Sequence, residues 1–287
     1  MIIVREAFLV FLSSTIIMRI HASSAPGLEL VAYATDRDHS GLSWLQHSAR
    51  WNGWRPLHVI GSQEGYDSHG LVDKLRALRR FARKWQDDTI LVFVDGYDVV
   101  VNNAPAQLES AFLASGRRVL LASELGCCAD KATAMADGSA CHPNWPFTAA
   151  AEADFQGGRK WLNSGVMVGY ARDVRRLLKR AWKEYLSAPL MYRAYTDQQV
   201  LCHLLSEGST LWTRAAVGID HASGVALTTY QTNIRFGDDV LGLDSYGRIV
   251  FSNRTIPSFI HFNGPKHEKE RQMAYAKANF PVLSGLS

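Results

Sequence analysis

The segment Thr89-Ile-Leu-Val-Phe-Val94 constrains the fold more than any other part of the chain. Five apolar residues follow Thr89 without a break, and no polar side alternates with an apolar one. Such a strand is buried on both faces, as the central strands of parallel sheets are. It therefore needs layers on both sides, and the rest of the sequence supplies them. Residues 28–34, 57–60, 118–122 and 166–170 read as further strands. Residues 42–51, 71–85, 104–114, 174–186 and 197–205 read as helices. In the second of these, Leu71, Leu75, Leu78 and Phe81 share a face, while Lys74, Arg76, Arg79, Arg80 and Arg83 lie elsewhere. Successive βα units predict an α/β fold with a mostly parallel sheet covered on both faces. Sheets of this kind bind ligands at the carboxyl ends of their strands. Residues 126–160 are polar, Gly/Ala-rich and aperiodic, and they predict a long loop region of the kind that usually serves function. From residue 211 the chain holds short strand patterns and a loop at 261–266.

A chain of 287 residues with 47% hydrophobic and 20% charged residues is neither disordered nor fibrous. Its net charge of +4 is too mild to argue for nucleic acid, and no basic stripe is interleaved with aromatics. Four cysteines exclude a disulfide scaffold. Cys127 or Cys128 could pair with Cys141 in an oxidising lumen; a zinc site is the alternative, but it lacks a fourth ligand at a recognisable spacing. Residues 1–25 combine an early Arg5, a short apolar run and small residues, which predicts a signal peptide or signal anchor. A buried N-terminal strand or helix is the other reading. The run is short for a membrane span, so any membrane attachment is expected through this leader alone. Asn253-Arg-Thr255 is a glycosylation sequon. Together these predict a secretory protein, resident in the endoplasmic reticulum or Golgi lumen or secreted, with residues 26–287 as a single domain.

The chemistry concentrates where the central strand ends, in Asp95-Gly-Tyr-Asp98. Two carboxylates at the exit of a buried strand are costly unless something offsets them. A hard divalent cation such as Mg²⁺ or Mn²⁺ would do so, and it commonly fills its remaining positions with phosphate oxygens. The alternative is an Asp-Gly turn with Asp98 capping a helix. His261-Phe-Asn-Gly-Pro-Lys266 offers an imidazole, a glycine that permits close approach, and a cation for phosphate. Leu162-Asn-Ser-Gly165 reads as a turn that offers an amide and a hydroxyl to a sugar, with a glycine that lets a substrate lie against the backbone.

In order and spacing these pieces resemble the glycosyltransferase domain of the procollagen lysyl hydroxylases. The resemblance rests on Val31-Ala-Tyr-Ala-Thr35, Lys74, Phe93-Val-Asp-Gly-Tyr-Asp98 and Ala122-Ser-Glu124. It continues through Leu162-Asn-Ser-Gly165 with Gly169-Tyr170, Asp197-Gln198, Ile219-Asp-His221, and His261 with Asn263-Gly-Pro265. It implies a GT-A fold, a UDP-sugar donor and Mn²⁺. It further implies that Asp95, Asp98 and His261 hold the metal and that Tyr97 stacks on uracil. Thr35 and Lys74 would contact the nucleotide, Gly264 and Lys266 the diphosphate, and Asn163, Ser164 and Asp197 the sugar or acceptor. The family's reaction adds glucose from UDP-glucose to galactosyl-hydroxylysine with retention. The resemblance therefore predicts a free-standing transferase acting on a glycosylated hydroxylysine-like or other glycan acceptor, without the hydroxylase. Retention carries over less far, because no nucleophile stands out. One departure bears on specificity. The family's acidic run before the counterpart of Asp197 is replaced by Met191-Tyr-Arg-Ala-Tyr-Thr196. Two alternatives follow: a UDP-galactose-dependent transferase on the same fold, and a non-catalytic glycan- or nucleotide-binding relative.

Overall fold

The computed structural model describes residues 27–61, 72–125, 159, 161–187, 196–206, 216–230 and 240–280. The leader, Cys127, Cys128, Cys141 and nearly all of the loop region at 126–160 lie outside the described residues. The elements run β1 (Leu28–Tyr33), α1 (Ser40–Trp51), β2 (His58–Ile60), α2 (Asp73–Ala82), β3 (Ile90–Asp95), β4 (Val99–Val101), α3 (Pro105–Ala114), β5 (Val119–Glu124) and β6 (Trp161–Tyr170). They continue α4 (Ala171–Ser187), α5 (Asp197–Ser206), β7 (Val217–Ile219), β8 (Ala226–Thr228), β9 (Val240–Leu243), β10 (Ile249–Phe251), β11 (Phe259–His261) and α6 (Lys266–Asn279).

The buried run becomes β3, inside a nine-stranded sheet ordered β2-β1-β3-β6-β5-β8-β11-β4, with β7 paired to β5. The reason for its unbroken apolarity is visible in the packing. Leu91 and Phe93 face a cluster built with Leu75, Leu78 and Phe81 of α2 and Leu177 and Leu178 of α4. Ile90, Val92 and Val94 face the other side, against Leu42 and Leu45 of α1 and Leu108 and Phe112 of α3. Alternate residues of one strand thus serve two cores, each large side chain contributing about 1.5–3 kcal/mol by leaving water.

The sheet is mixed and mostly parallel. β1 pairs in parallel with β2 and β3, β5 with β7 and β8, and β8 with β11. β6 runs antiparallel to both of its neighbours, and β4 runs antiparallel to β11. The start of β6 therefore lies at the same rim as the ends of β1, β3, β5 and β11. β6 begins at Trp161, five residues before the strand expected at 166–170. Leu162-Asn-Ser-Gly165 is thus part of a strand, not a turn. Its pairing with β5 shifts register between Leu121 and Ala122, where the partner residue jumps from Met167 to Asn163. Irregularities of this kind re-aim side chains beside functional sites. The Val99–Val101 segment forms β4, so Asp98 precedes a strand and the helix-capping alternative is overturned. Among the described residues no helix is long and apolar enough to cross a membrane.

Candidate active site

Pairing of β4 with β11 sets Val99 opposite His261, and Phe262 N–H donates to the Asp98 carbonyl at 2.8 Å. This ladder brings Asp98 beside His261, while Asp95 comes from the end of β3, which β6, β5 and β8 separate from β11 in the strand order. His261 Nε2 lies 3.5 Å from Asp98 Oδ1 and 3.7 Å from Asp95 Oδ2. One potential ligand atom from each of the three side chains lies within 4.8 Å of the others. Asn163 orients the ring. Its Oδ1 accepts the Gly165 N–H and faces His261 Nδ1 at 3.0 Å, so Nδ1 carries the proton and Nε2 is turned to the carboxylates. Two carboxylates and an imidazole suit a divalent cation such as Mn²⁺. Gly165 gives the imidazole its room: a Cβ there would lie 2.1 Å from His261 Cε1 and 2.9 Å from Asp95 Oδ2. The glycine expected to admit a substrate therefore admits His261.

Lysines neutralise the carboxylates. Lys74 Nζ sits 2.9 Å from Asp95 Oδ1 and 2.7 Å from Asp197 Oδ2. Lys269 Nζ sits 2.9 Å from Asp98 Oδ2. Burial opposes the charge on Lys74, but Asp197 and Asp95 outweigh it and hold the ammonium above the usual lysine range. Burial pushes Asp95 up, against Lys74 and His261. For Asp98 burial acts the same way, yet His261 and Lys269 prevail and hold it well below the ordinary range. Burial would lower His261, but Asp98 and Asp95 raise it.

Asp197 reaches the pocket because α5 starts there. Thr196 Oγ1 accepts the Gln199 N–H at 3.2 Å and Gln199 Oε1 accepts the Thr196 N–H at 2.7 Å, a reciprocal cap that fixes the first turn. Gln198 Oε1 then accepts the Ser164 N–H at 3.1 Å. On the other side, the Tyr97 hydroxyl accepts the Asp36 N–H at 2.7 Å and meets Thr35 Oγ1 at 3.1 Å, and its ring lies 4.2 Å from that of His39.

Beneath the site Glu124 ties three amides together. Asn163 and Asn263 donate to its Oε2 at 3.0 and 2.7 Å, and Gln198 donates to Oε1 at 2.7 Å. Burial pushes this carboxyl from 4.5 up to about 7, against the bonds from Asn163 and Gln198. The sign follows from linkage. A carboxyl raised on folding contributes stability fully below its unfolded value, and that stability is lost as pH rises through about 7. The unfolding free energy of the native protein, read from urea titrations, should therefore fall between about pH 5 and pH 8 relative to Glu124→Gln, by at most about 1.4 kcal/mol per pH unit. A difference that stays flat with pH would rule out this titration.

Thr35, Lys74, Asp95, Tyr97, Asp98, Asn163, Ser164, Asp197, His261 and Gly264 all line one cavity of about 320 Å³, a size that suits a small ligand. Lys266 does not. Its side chain is 85% exposed and pairs with Glu270 at the start of α6, whereas Lys269, one turn further on, lines the cavity. Gly264 has φ +113°, and a Cβ there would meet the Tyr230 ring at 2.5 Å, so packing as well as ligand approach requires glycine. Glu124 and Asn263 were legible only as part of a motif, and Gln198 only as the neighbour of Asp197.

The chain matches the family profile described as the PLOD GT domain over residues 24–204. It belongs to that glycosyltransferase family. The PLOD GT match ends before β11, so His261 and Lys269 join the site by their position in the fold. The chain is similar to the multifunctional procollagen lysine hydroxylase and glycosyltransferase LH3 of Homo sapiens, 28% identical over 220 residues. That alignment covers 75% of this chain and 25% of the relative. It is also similar to the multifunctional procollagen lysine hydroxylase and glycosyltransferase of Caenorhabditis elegans, 29% identical over 164 residues, 54% of this chain and 20% of that one. The chain thus spans a quarter or less of the length of these curated relatives. Among solved structures, the apo WbbM bifunctional glycosyltransferase superposes with a TM-score of 0.50 and 11% identity, over 90% of this chain and 51% of that one. That likeness concerns the fold, which is the expected GT-A α/β arrangement.

Proposed function

We propose that this PLOD GT protein transfers glucose from UDP-glucose to a glycosylated hydroxylysine-like or other glycan acceptor, with Mn²⁺ held by Asp95, Asp98 and His261. The observation that carries the reading is the convergence of ligand atoms from those three side chains within 4.8 Å in the lining of the cavity, in a chain of a glycosyltransferase family. When bound, the ion would neutralise charge growing on the departing diphosphate. The chain's own groups do the rest. Tyr97, held by Thr35 and the Asp36 amide, offers its ring to the uracil. Lys74 fixes Asp95 and Asp197 relative to each other, and Lys269 stands beside the site as a cation for the diphosphate. Asn163, Ser164 and Asp197 line the part of the cavity assigned to the donor sugar or acceptor. Preorganised groups of this kind supply the largest share of stabilisation in such transfers. The names of the relatives support a procollagen-type lysine acceptor.

Residues 26–287 would act as one unit, because the assigned groups run from Thr35 to Lys269. A luminal or secreted setting goes with this reading, supported by the leader-like residues 1–25 and by the exposed Asn253 of the sequon. A panel of UDP-sugars with Mn²⁺ tests the donor: UDP-glucose should be hydrolysed fastest. Preference for UDP-galactose would favour the galactosyl alternative, and absence of turnover with every donor would favour a binding protein.

A further inference from the structure

We propose that Lys269 is a displaceable counter-ion that makes the divalent cation and the diphosphate bind as a pair rather than one after the other independently. The inference rests on the metal reading above and concerns how the chain's own charges respond to the ion.

Two ammonium groups neutralise the carboxylates at the rim, and they differ in freedom. Lys74 comes from the first turn of α2, its side chain is 6% exposed, and it sits between Asp95 and Asp197 with the Phe93 ring 6.0 Å away. With two carboxylate partners in a buried position it is a permanent part of the site. Lys269 comes from the first turn of α6, its side chain is 31% exposed, and Asp98 is its carboxylate partner at 2.9 Å. Its flexible stem can carry the ammonium away from Asp98 without disturbing the core.

The charge count shows what that freedom is for. Asp95, Asp98 and Asp197 carry three negative charges against the two of Lys74 and Lys269. These five side chains leave one net negative charge, so the cluster is close to balanced. A divalent ion alone would turn it positive and place like charge beside the Lys269 ammonium, which costs most at short range and low dielectric. A diphosphate arriving with the ion reverses this. It supplies negative charge at the cavity mouth, where the released ammonium can meet it. Lys269 thereby weakens the ion alone and strengthens the ion with its nucleotide. By linkage, the factor by which UDP tightens the ion equals the factor by which the ion tightens UDP.

Binding of Mn²⁺ can be followed by the electron paramagnetic resonance signal of the free ion, with and without UDP. In the native protein UDP should tighten Mn²⁺ by about tenfold or more, within the usual range of coupling between sites. In Lys269→Gln, Mn²⁺ alone should bind about fivefold to tenfold tighter, and the UDP enhancement should shrink by a similar factor. Lys269→Arg should restore the native pattern. Lys266→Gln, on the same helix but solvent-facing, should match the native protein. Unchanged or weaker Mn²⁺ binding in folded Lys269→Gln overturns the proposal and leaves the metal reading standing. Absence of Mn²⁺ binding by the native protein in both conditions overturns the metal reading and this proposal with it.

Discussion

Asp95→Ala should leave a folded protein that has lost UDP-sugar turnover by about a thousandfold or more, ~4 kcal/mol of transition-state stabilisation. Asp95 offers one oxygen to the cation site and the other to Lys74. Its removal would delete one of the three proposed ligands and leave Asp98 and His261. The fold should survive for two reasons. The carboxylate lies at the end of β3, where its side chain is 26% exposed, so no core cavity opens. Lys74 keeps Asp197 at 2.7 Å and is not stranded as a buried charge. Circular dichroism and thermal melting should be near native while Mn²⁺-dependent hydrolysis disappears. Full activity in this variant, or native activity undiminished by a chelator, would refute the metal assignment.

Gly165→Ala should do comparable damage with one added methyl group. The new Cβ would lie 2.1 Å from Cε1 and 2.6 Å from Nδ1 of His261. The imidazole cannot rotate away cheaply. Nδ1 is bonded to Asn163, and His261 ends a strand paired on both sides, to β8 and to β4. Something in the rim must move, at a cost of about 1–3 kcal/mol as for other overpacked sites. Movement of His261 also withdraws Nε2 from Asp95 and Asp98. Activity should fall by about a hundredfold or more, as when one stabilising group is lost, and the melting temperature should drop by several degrees. Native Mn²⁺ affinity in this variant would show that His261 is not a ligand.

These two residues mark what the sequence could and could not tell. Asp95 was legible because a buried apolar strand ending in carboxylates is a local contradiction that asks for a cation. Gly165 was read as room for a substrate, since the residue that needs the room comes from β11, far along the chain. The start of β6 was missed for a related reason. Asn163 and Ser164 look like turn residues until Glu124 and Gln198 satisfy them inside the sheet. Glu124 itself has no local signature, because its value lies in amides converging from Asn163, Gln198 and Asn263. Lys266 offers itself to a phosphate through its place in the His261 motif, but it faces solvent. Helical side chains lean back toward the N-terminus, so the residue most of a turn further on reaches over the helix start to Asp98.

The antiparallel pairing of β4 with β11 has a kinetic consequence. Asp98 and His261 stand at opposite ends of a span covering more than half the chain, and that pairing closes the loop between them. Contacts of such long range form slowly, because the entropy of closing the loop is spent before the strand interactions repay it. A nascent or refolding chain can present Asp95 and Asp98 as soon as β3 and its turn exist, but it lacks the imidazole until β11 docks. On the metal reading proposed above, capture of the ion would be a signature of completed folding, and a chain halted one strand short would be metal-blind while nearly native in secondary structure.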